Sequence, residues 1–469
     1  MNRKNGSDSS SCGNSSMPCQ TLQMGVKQVK KPGKIYIAGA HYLTTGIKIF
    51  KSLSVVGNDG ATISRMRVAR LRHVFKISNR ANVSFEHLRI LRVGLVDIES
   101  SASVVISRCM FEGRTRDTRV YDPITRAFAR LVTAYIEATS NSPTNITLNI
   151  KNSKFMRTFD PIRIKSSKKR SNLKTTFKIM NTLFFRTDLM SIQGVRRGMI
   201  QDTIFKSDKG LQFVYITTGS VCIQRCRFIF GNRKGLELSA QDVMGQYHHP
   251  GVSINISDCV FMSFDANSAR LEIERFHNVH IKNCMFSKLT TKYDSPVYIK
   301  LSKNIYITNT TCYLNTIKDH DGACFTFIDT EMVYLEKSRF KKNEAVRKNG
   351  VIHFGRRLRR DKPATVTITD CLFVDNWVKN GASLYITDEN VLINASKFVR
   401  NQAFGNGGAI AKISVQKSFL IIIGTIFALQ VVKAVRYLSK EKLTSSCESL
   451  YWLIIMQIFR LAVYIWSQK

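Results

Sequence analysis

The stretch FVRNQAFGNGGAI, from Phe398 to Ile410, decides the fold because its pattern recurs along the chain. The eight residues that end at its phenylalanine, VLINASKF, have relatives that end at Phe111, Phe228, Phe261, Phe286, Phe340 and Phe373, and looser ones that end at Phe155, Phe205 and Phe427. Successive copies recur about every 25 residues when Tyr313 is counted as a degenerate copy, and a period of this length is typical of a solenoid.

Each copy alternates apolar and polar residues, which is the periodicity of a β-strand with one buried face. A second short strand follows a turn of small residues, as in Gly322-Ala323, Gly381-Ala382 and Gly407-Gly408. Small residues suit a tight corner where the backbone of one coil lies against the next. We therefore predict an all-β fold, a parallel β-helix solenoid with coils of about 21–33 residues.

Two residue types keep a fixed distance from the repeat phenylalanine. Asn343, Asn376 and Asn401 follow it by three positions, and we expect their amides to form hydrogen bonds from coil to coil at a corner. A glycan or metal site at these asparagines is the alternative. Cysteines precede the repeat phenylalanine by two positions, and we expect them to form a ladder of buried thiols that behave as small hydrophobes. They are Cys109, Cys226, Cys259, Cys284 and Cys371.

The pair FVRN and GGAI resembles the FxxN and GGA(I/L/V) repeats of polymorphic outer-membrane proteins, and the coils resemble the right-handed parallel β-helix of the pectin lyase-like superfamily. Similar coils occur in uncharacterised extracellular proteins of animals. The resemblance implies an N-terminal cap in which Cys12 and Cys19 form a disulfide; a zinc site is the weaker interpretation. It also implies a division of the chain into three regions. Residues 1–11 are expected to be a disordered stretch, residues 12–60 the cap and first coils, and residues 61–466 the repeats, with the C-terminus truncated within the solenoid.

The chain is strongly basic, with 71 Lys and Arg against 33 Asp and Glu, a formal charge of +38. Such a surface attracts polyanions, and clustered cations on loops are candidates for their site. Three clusters meet this description: Arg65, Arg67, Arg70 and Arg72; Lys165, Lys168, Lys169 and Arg170; and Arg356, Arg357, Arg359 and Arg360. The alternative is that these cations are solvated loop tips with no single partner.

Many pectin lyase-like proteins are lyases or hydrolases of polysaccharides, and glycoside hydrolysis needs two positioned carboxylates. Of the polygalacturonase motifs only Arg163-Ile164-Lys165 has a counterpart here, and we treat it as a coincidence. Three groups carry residues that could bind a metal: Asp319-His320-Asp321 with Cys324, His277 with His280, and His248 with His249. Each is weak for want of a fourth ligand. We expect no catalytic residue, no metal and no cofactor.

Eleven cysteines and several Asn-x-Ser/Thr sequons fit an exported protein. The candidate glycosylation sites are Asn82, Asn145, Asn255, Asn309 and Asn394. No apolar export signal follows Met1, so we expect a start downstream of the true one, or a protein that stays inside the cell. An apolar run at residues 451–466 allows a membrane segment, although Arg460 interrupts it; two further coils are the favoured interpretation.

The resulting hypothesis is a non-catalytic extracellular or cell-surface β-helix in an adhesive or matrix role. Its partner is expected to be an acidic polysaccharide or a protein, and membrane anchorage stays open. A nucleic-acid partner is not expected, because no aromatic-interleaved basic motif accompanies the charge. The alternative function is a polysaccharide lyase or glycoside hydrolase whose active site the sequence does not reveal.

Overall fold

The computed structural model describes most of the chain. The described residues are 1–30, 32–43, 45–58, 60–65, 73–78, 80–98, 101–113, 120–122, 127–129, 136–140, 145–158, 161–166, 175–187, 189–206, 212–231, 235–240, 251–263, 270–292, 295–319, 321–355, 363–380, 383–404, 408–414, 418–428, 431–432 and 463–467.

The chain divides into two compact units, each built from coils whose strands stack in parallel on those of neighbouring coils. Unit 1 contains Met1–Gly231 and Leu236–Val252, and unit 2 contains Asn232–Gly235 and Ser253–Lys469. In chain order, a coil contributes one strand to each of three parallel stacks, which we call stacks A, B and C. This is the all-β parallel β-helix that the repeat predicts, and the prediction of the fold is confirmed.

The strands of unit 1 are as follows. Stack A contains Ile47–Ile49, His73–Ile77, Gly94–Ile98, Ile136–Ser140, Ile162–Ser166 and Leu236–Ser239; stack B contains Gly33–Ile37, Leu53–Gly57, Asn82–Glu86, Ala102–Ser107, Ile146–Lys151 and Thr175–Met180; Leu189–Gln201 and Gln212–Gln224 run through both. Stack C contains Ala40–Leu43, Thr62–Arg65, Arg89–Leu91, Met110–Glu112, Lys154–Met156, Leu183–Phe185, Ile204–Lys206 and Arg227–Phe230.

The strands of unit 2 include a fourth short stack, which we call stack D. Stack A contains Leu271–Glu274, Val297–Lys300, Phe325–Ile328, Ile352–Gly355, Leu384–Thr387, Ile410–Ser414 and Val463–Ser467; stack B contains Ser253–Ser257, Asn278–Lys282, Asn304–Thr308, Met332–Glu336, Thr365–Thr369, Asn390–Asn394 and Leu420–Ile423. Stack C contains Val260–Ser263, Met285–Ser287, Thr311–Tyr313, Arg339–Lys341, Leu372–Val374, Lys397–Val399 and Ile426–Ala428; stack D contains Thr290–Thr291, Thr316–Ile317, Glu344–Asn349, Trp377–Asn380, Gln402–Ala403 and Val431–Val432.

The repeat phenylalanine is the inward-facing residue of stack C. In unit 1 the rings of Phe111, Phe155, Phe184, Phe205 and Phe228 stack in that order, with centroids 4.3 to 4.9 Å apart. Parallel register brings identical positions of successive coils about 4.8 Å apart, which matches these distances. Phe184, which the sequence pattern does not single out, is therefore a full member of the ladder.

The ladder of unit 2 is interrupted at one coil. Phe286 and Phe340 both pair in register with Cys312, so the expected degenerate copy at Tyr313 is wrong by one position. Cys312 forms a disulfide with Cys324, with their Cα atoms 6.2 Å apart. The Phe325 ring packs edge-on against those of Phe286 and Phe340, at 5.6 and 6.1 Å, and fills the space that the small residue leaves.

The position two residues before the ladder ring carries either cysteine or a hydroxyl residue. The Cys109 and Cys371 thiols donate to the carbonyls of Ser107 and Thr369, as the Ser396 hydroxyl does to that of Asn394. The predicted thiols are buried and none is in a disulfide. They form hydrogen bonds as a hydroxyl does, whereas the sequence suggested only small hydrophobes.

The predicted amide ladder is confirmed in unit 2. The Asn315 side chain donates to that of Asn343 at 3.1 Å, Asn343 to Asn376 at 3.1 Å and Asn376 to Asn401 at 2.9 Å. All four asparagines are buried, and each immediately precedes a strand of stack D. Their amides satisfy the backbone where the chain bends, which leaves no open face for the alternative glycan or metal site.

One coil of unit 1 is longer than the predicted 21–33 residues. Cys109 N donates to Ser153 Oγ of the next coil, which lies 44 residues further along the chain. The additional residues fall between Glu112 and Ile136 and include an antiparallel hairpin, Val120–Asp122 with Ala127–Ala129. Phe111 and Phe155 nevertheless pair in register, so the insertion leaves the stacking unchanged.

The N-terminal residues pack against the first strands. Asn2 N donates to the Cys19 carbonyl, Ser7 N to that of Pro18, and Asn2 forms a parallel bridge with Ala38. These contacts hold Asn2 and Ser7 against neighbouring residues, and the division of the chain at residues 11 and 60 stays a prediction. A disulfide joins Cys12 to Cys19, with Cα atoms 4.9 Å apart. The short helix Leu22–Gln28 follows, and the Thr21 hydroxyl accepts from Met24 N at its start.

The last strand of the described chain, Val463–Ser467, pairs in parallel with Ile410–Ser414. The remainder of the apolar run at residues 451–466 lies outside the described residues. No helix among the described residues combines the length and the apolar character that crossing a membrane requires.

Candidate functional site

The outer corner that follows stack C in unit 1 carries a row of arginines. Arg92, Gly113, Arg157 and Arg186 hold this corner in four successive coils, because each N–H donates to the carbonyl that precedes the corner of the next coil. The three arginines have φ between 54° and 58°. The left-handed conformation favours Asn, Asp and Gly, so the geometry of the corner alone does not select arginine.

Gly113 has a steric reason for its place in this row. A Cβ at this position would collide with the Arg157 carbonyl oxygen of the next coil, since the two backbones approach closely there. The interruption of the arginine row at Gly113 is therefore a packing requirement.

The outward face of stack C extends the basic surface. Each strand of this stack has an outward position before its inward ladder residue and another after it. Exposed cations at the earlier position are Arg89, Lys154 and Arg227, and Lys206 is partly exposed at the later one. Together with Arg92, Arg157 and Arg186 at the corner, these residues define what we call the basic face. Within the described strands and corner residues of this face, Glu112 is the one acid, and it forms an ion pair with Arg89 at 2.8 Å.

Apolar side chains lie between the cations. The guanidinium carbon of Arg186 lies 5.3 Å from the centroid of the Phe185 ring, and Nζ of Lys206 lies 5.7 Å from it. Both distances allow a cation–π interaction, which restricts where the two charges lie. Met156 and Ile204 are outward-facing neighbours in the adjacent strands. The face therefore combines positive charge with apolar side chains that lie between the cations.

Two of the twelve cations in the clusters predicted from the sequence lie within the described residues. Arg65 ends the strand Thr62–Arg65, and Lys165 lies in Ile162–Ser166. The other ten lie outside the described residues: Arg67, Arg70, Arg72, Lys168, Lys169, Arg170, Arg356, Arg357, Arg359 and Arg360. Their role in polyanion binding stays a prediction.

The basic face was missed because its residues are far apart in sequence. A signal existed, however: Lys154 and Arg227 each precede a ladder phenylalanine by one position, and Arg157 and Arg186 follow one by two. Residues at the same offset stack in one row, so fixed offsets from the ladder residue predict a surface row that local charge density does not reveal.

Unit 2 pairs several charges on stack A, although the outward face of its own stack C also carries exposed cations, which are Lys288, Arg339, Lys341, Lys342, Lys397 and Arg400. Lys300 Nζ lies 3.0 Å from Glu272 Oε1 and 3.2 Å from Glu274 Oε2, and Arg270 and Arg275 pair with the same two glutamates. Burial lowers the pKa of Lys300, but its bonds with the glutamates outweigh this and raise it overall. Three cations share two glutamates in this partly buried network, so most of its positive charge is neutralised within the protein.

The residues weighed as metal ligands do not assemble into a site. Cys324 is bridged to Cys312, and the His280 ring stacks on Tyr306 with centroids 4.8 Å apart. His248, His249 and His320 lie outside the described residues. Among the residues that are described, no group of three or more His, Cys, Asp or Glu side chains is placed to hold a metal ion.

The candidate glycosylation sites lie on the surface. Asn82, Asn145, Asn255 and Asn309 are exposed, and Asn394 is partly exposed. Asn309 Nδ2 donates a hydrogen bond to the Asn283 side chain at 2.9 Å. A glycan attached to Asn309 would replace this exposed hydrogen bond.

Comparison with known proteins identifies the class of fold. Residues 246–425 match the family model of the right handed beta helix region, and the long parallel stacks agree with that architecture. No curated protein matches the chain.

Proposed function

We propose that this protein is a non-catalytic β-helix that binds acidic glycans through the basic face of unit 1. The observation that carries the proposal is the imbalance of charge: seven cations, which are Arg89, Arg92, Lys154, Arg157, Arg186, Lys206 and Arg227, share one described face with the single acid Glu112. Guanidinium groups bind sulfate and carboxylate groups in a bidentate manner, so the ligand chemistry follows from the residue types.

The proposed place of action is outside the cell or at its surface, in an adhesive or matrix role. The exposed sequons and the two disulfides support this location, because disulfides persist in oxidising compartments. The basic face extends over several stacked coils, and an extended surface of this kind suits a long polymer better than a small substrate. An acidic surface of a protein is the other partner that the same charge would accept.

The test is binding of the full chain to immobilised heparin and to polyuronic acids, at low and raised salt, with released sugar products assayed in parallel. We expect retention that weakens with salt, and no products. A triple variant, Lys154→Ala with Arg157→Ala and Arg186→Ala, should lose about tenfold in affinity if each exposed pair contributes modestly.

The matched control removes three positive charges from stack B of the same unit, by Lys34→Ala, Lys151→Ala and Lys178→Ala. It should retain wild-type affinity. Equal losses in both triple variants would mean that overall charge governs retention and that the basic face is not the site. Release of sugar products would instead point to a polysaccharide lyase or glycoside hydrolase.

A further inference from the structure

The cations of the basic face repeat along one direction. Because stack C is parallel and in register, equivalent positions of successive coils are separated by about 4.8 Å along the solenoid axis. The strands that carry Lys154, Leu183, Ile204 and Arg227 follow one another in register. With Arg157, Arg186 and Lys206 beside them, every one of these four coils presents at least one cation.

The perpendicular direction offers fewer contacts. A single coil presents at most two cations of this face, such as Lys154 on the strand and Arg157 at the corner, before the chain turns away. Along the axis, five cations occur within three coil spacings, or about 14 Å. Towards the N-terminus the row is broken, since Glu112 pairs with Arg89 and Gly113 occupies the corner.

We infer that the acidic chain lies parallel to the solenoid axis, across the four coils from Lys154 to Arg227. This inference rests on the proposed function and adds to it the orientation and the minimum length of the ligand. The ligand is a linear glycan with an acidic group on successive sugars, long enough to reach both ends of the row. A short fragment reaches one end only, and it gains a fraction of the contacts.

The experiment measures the affinity of the full chain for size-fractionated heparin oligosaccharides, from disaccharide to decasaccharide. Affinity should rise at least about tenfold between the disaccharide and the fragment that first spans the row, and then level off. Arg157→Glu and Arg227→Glu, at opposite ends, should each weaken the decasaccharide about tenfold. Each should weaken the disaccharide less than twofold, because it still binds at the other end.

Lys151→Glu, on stack B, is the matched charge-reversal control, and it should change neither affinity. A disaccharide that binds as tightly as the decasaccharide would overturn the axial orientation while the proposed function stands. The axial orientation is also overturned if only one of the two end variants weakens the decasaccharide. If no oligosaccharide of any length binds, the proposed function itself fails, and binding to phosphatidylserine vesicles instead would assign the face to a lipid surface.

Discussion

Both units build their coils on stacks A, B and C, but they differ at the outer corner that follows stack C. In unit 1 the described corner row after stack C carries three arginines and no acid. The equivalent row of unit 2 reads Lys288, Leu314, Lys342, Asp375 and Arg400. There Arg400 donates to both carboxylate oxygens of Asp375, at 2.7 and 3.1 Å. The same backbone geometry thus accepts a basic row, an apolar residue or an ion pair, so the residue type at this corner reflects surface chemistry and not the fold.

Inside the coil the constraint is opposite. From Phe111 onward, the inward position of stack C is phenylalanine in every described coil except that of Cys312, because each ring fills the space between its two neighbours. At the exceptional coil, Cys312 needs the Phe325 ring to complete the packing. Inner rows are therefore the framework that the two units have in common, and outer rows are where the units can differ in function.

The largest expected effect is common to both units. Phe184→Ala in unit 1 and Phe373→Ala in unit 2 each remove a fully buried ring from a stacked ladder. Each should reduce the free energy of unfolding by about 3–5 kcal/mol, measured from urea transitions. Met285→Ala, at an exposed position of stack C, is the control and should cost far less. No loss for Phe184→Ala would place that ring outside the core.

The next effect should separate the units. Asn376→Ala in unit 2 leaves the Phe340 carbonyl and the Asn343 N–H without their partner inside the protein. The expected loss is about 2–3 kcal/mol in the same measurement, because buried polar groups without partners are costly. Asn82→Ala, at an exposed strand position of unit 1, is the matched control and should be close to neutral. Equal losses would show that the amide ladder contributes no special stability.

A smaller effect tests how the cations of unit 1 are positioned. Phe185→Leu keeps every charge of the basic face but removes the ring beside Arg186 and Lys206. Affinity for heparin should fall about two- to threefold, as expected for exposed cation–π contacts. The dependence of affinity on salt should stay unchanged, because the number of charges is the same. A reduced salt dependence would contradict a positioning role for the ring.

The smallest effect concerns the ion pair between Arg400 and Asp375 in the corner row of unit 2. The hydrogen bonds from Arg400 lower the pKa of Asp375 below its ordinary value. A carboxyl group with a lowered pKa stabilises the fold at neutral pH, and this contribution is lost as the pH falls through the lowered pKa. Arg400→Ala should raise the Asp375 pKa towards the ordinary value in an NMR titration. An unchanged pKa would mean that the pair does not form in solution.

The repeat made the fold predictable because a buried face forces alternation and constant spacing. The pattern did not single out Phe184, although Thr182 stands two positions before it and donates to the carbonyl two residues back, as Ser153 and Thr203 do in the neighbouring coils. At Cys312 the expected copy followed the aromatic Tyr313 and so shifted by one position. The basic face escaped because cations tens of residues apart become neighbours only once the register of every coil is known.

The long coil of unit 1 has a practical consequence. Its additional residues lie between Glu112 and Ile136, and yet the rings of Phe111 and Phe155 remain directly stacked, with centroids 4.3 Å apart. This corner therefore tolerates added chain without any change in the rows on either side. A fluorescent label or an affinity tag inserted in the hairpin Val120–Asp122 with Ala127–Ala129 should leave the stacked coils intact, which makes it a natural attachment point for imaging or immobilising the protein.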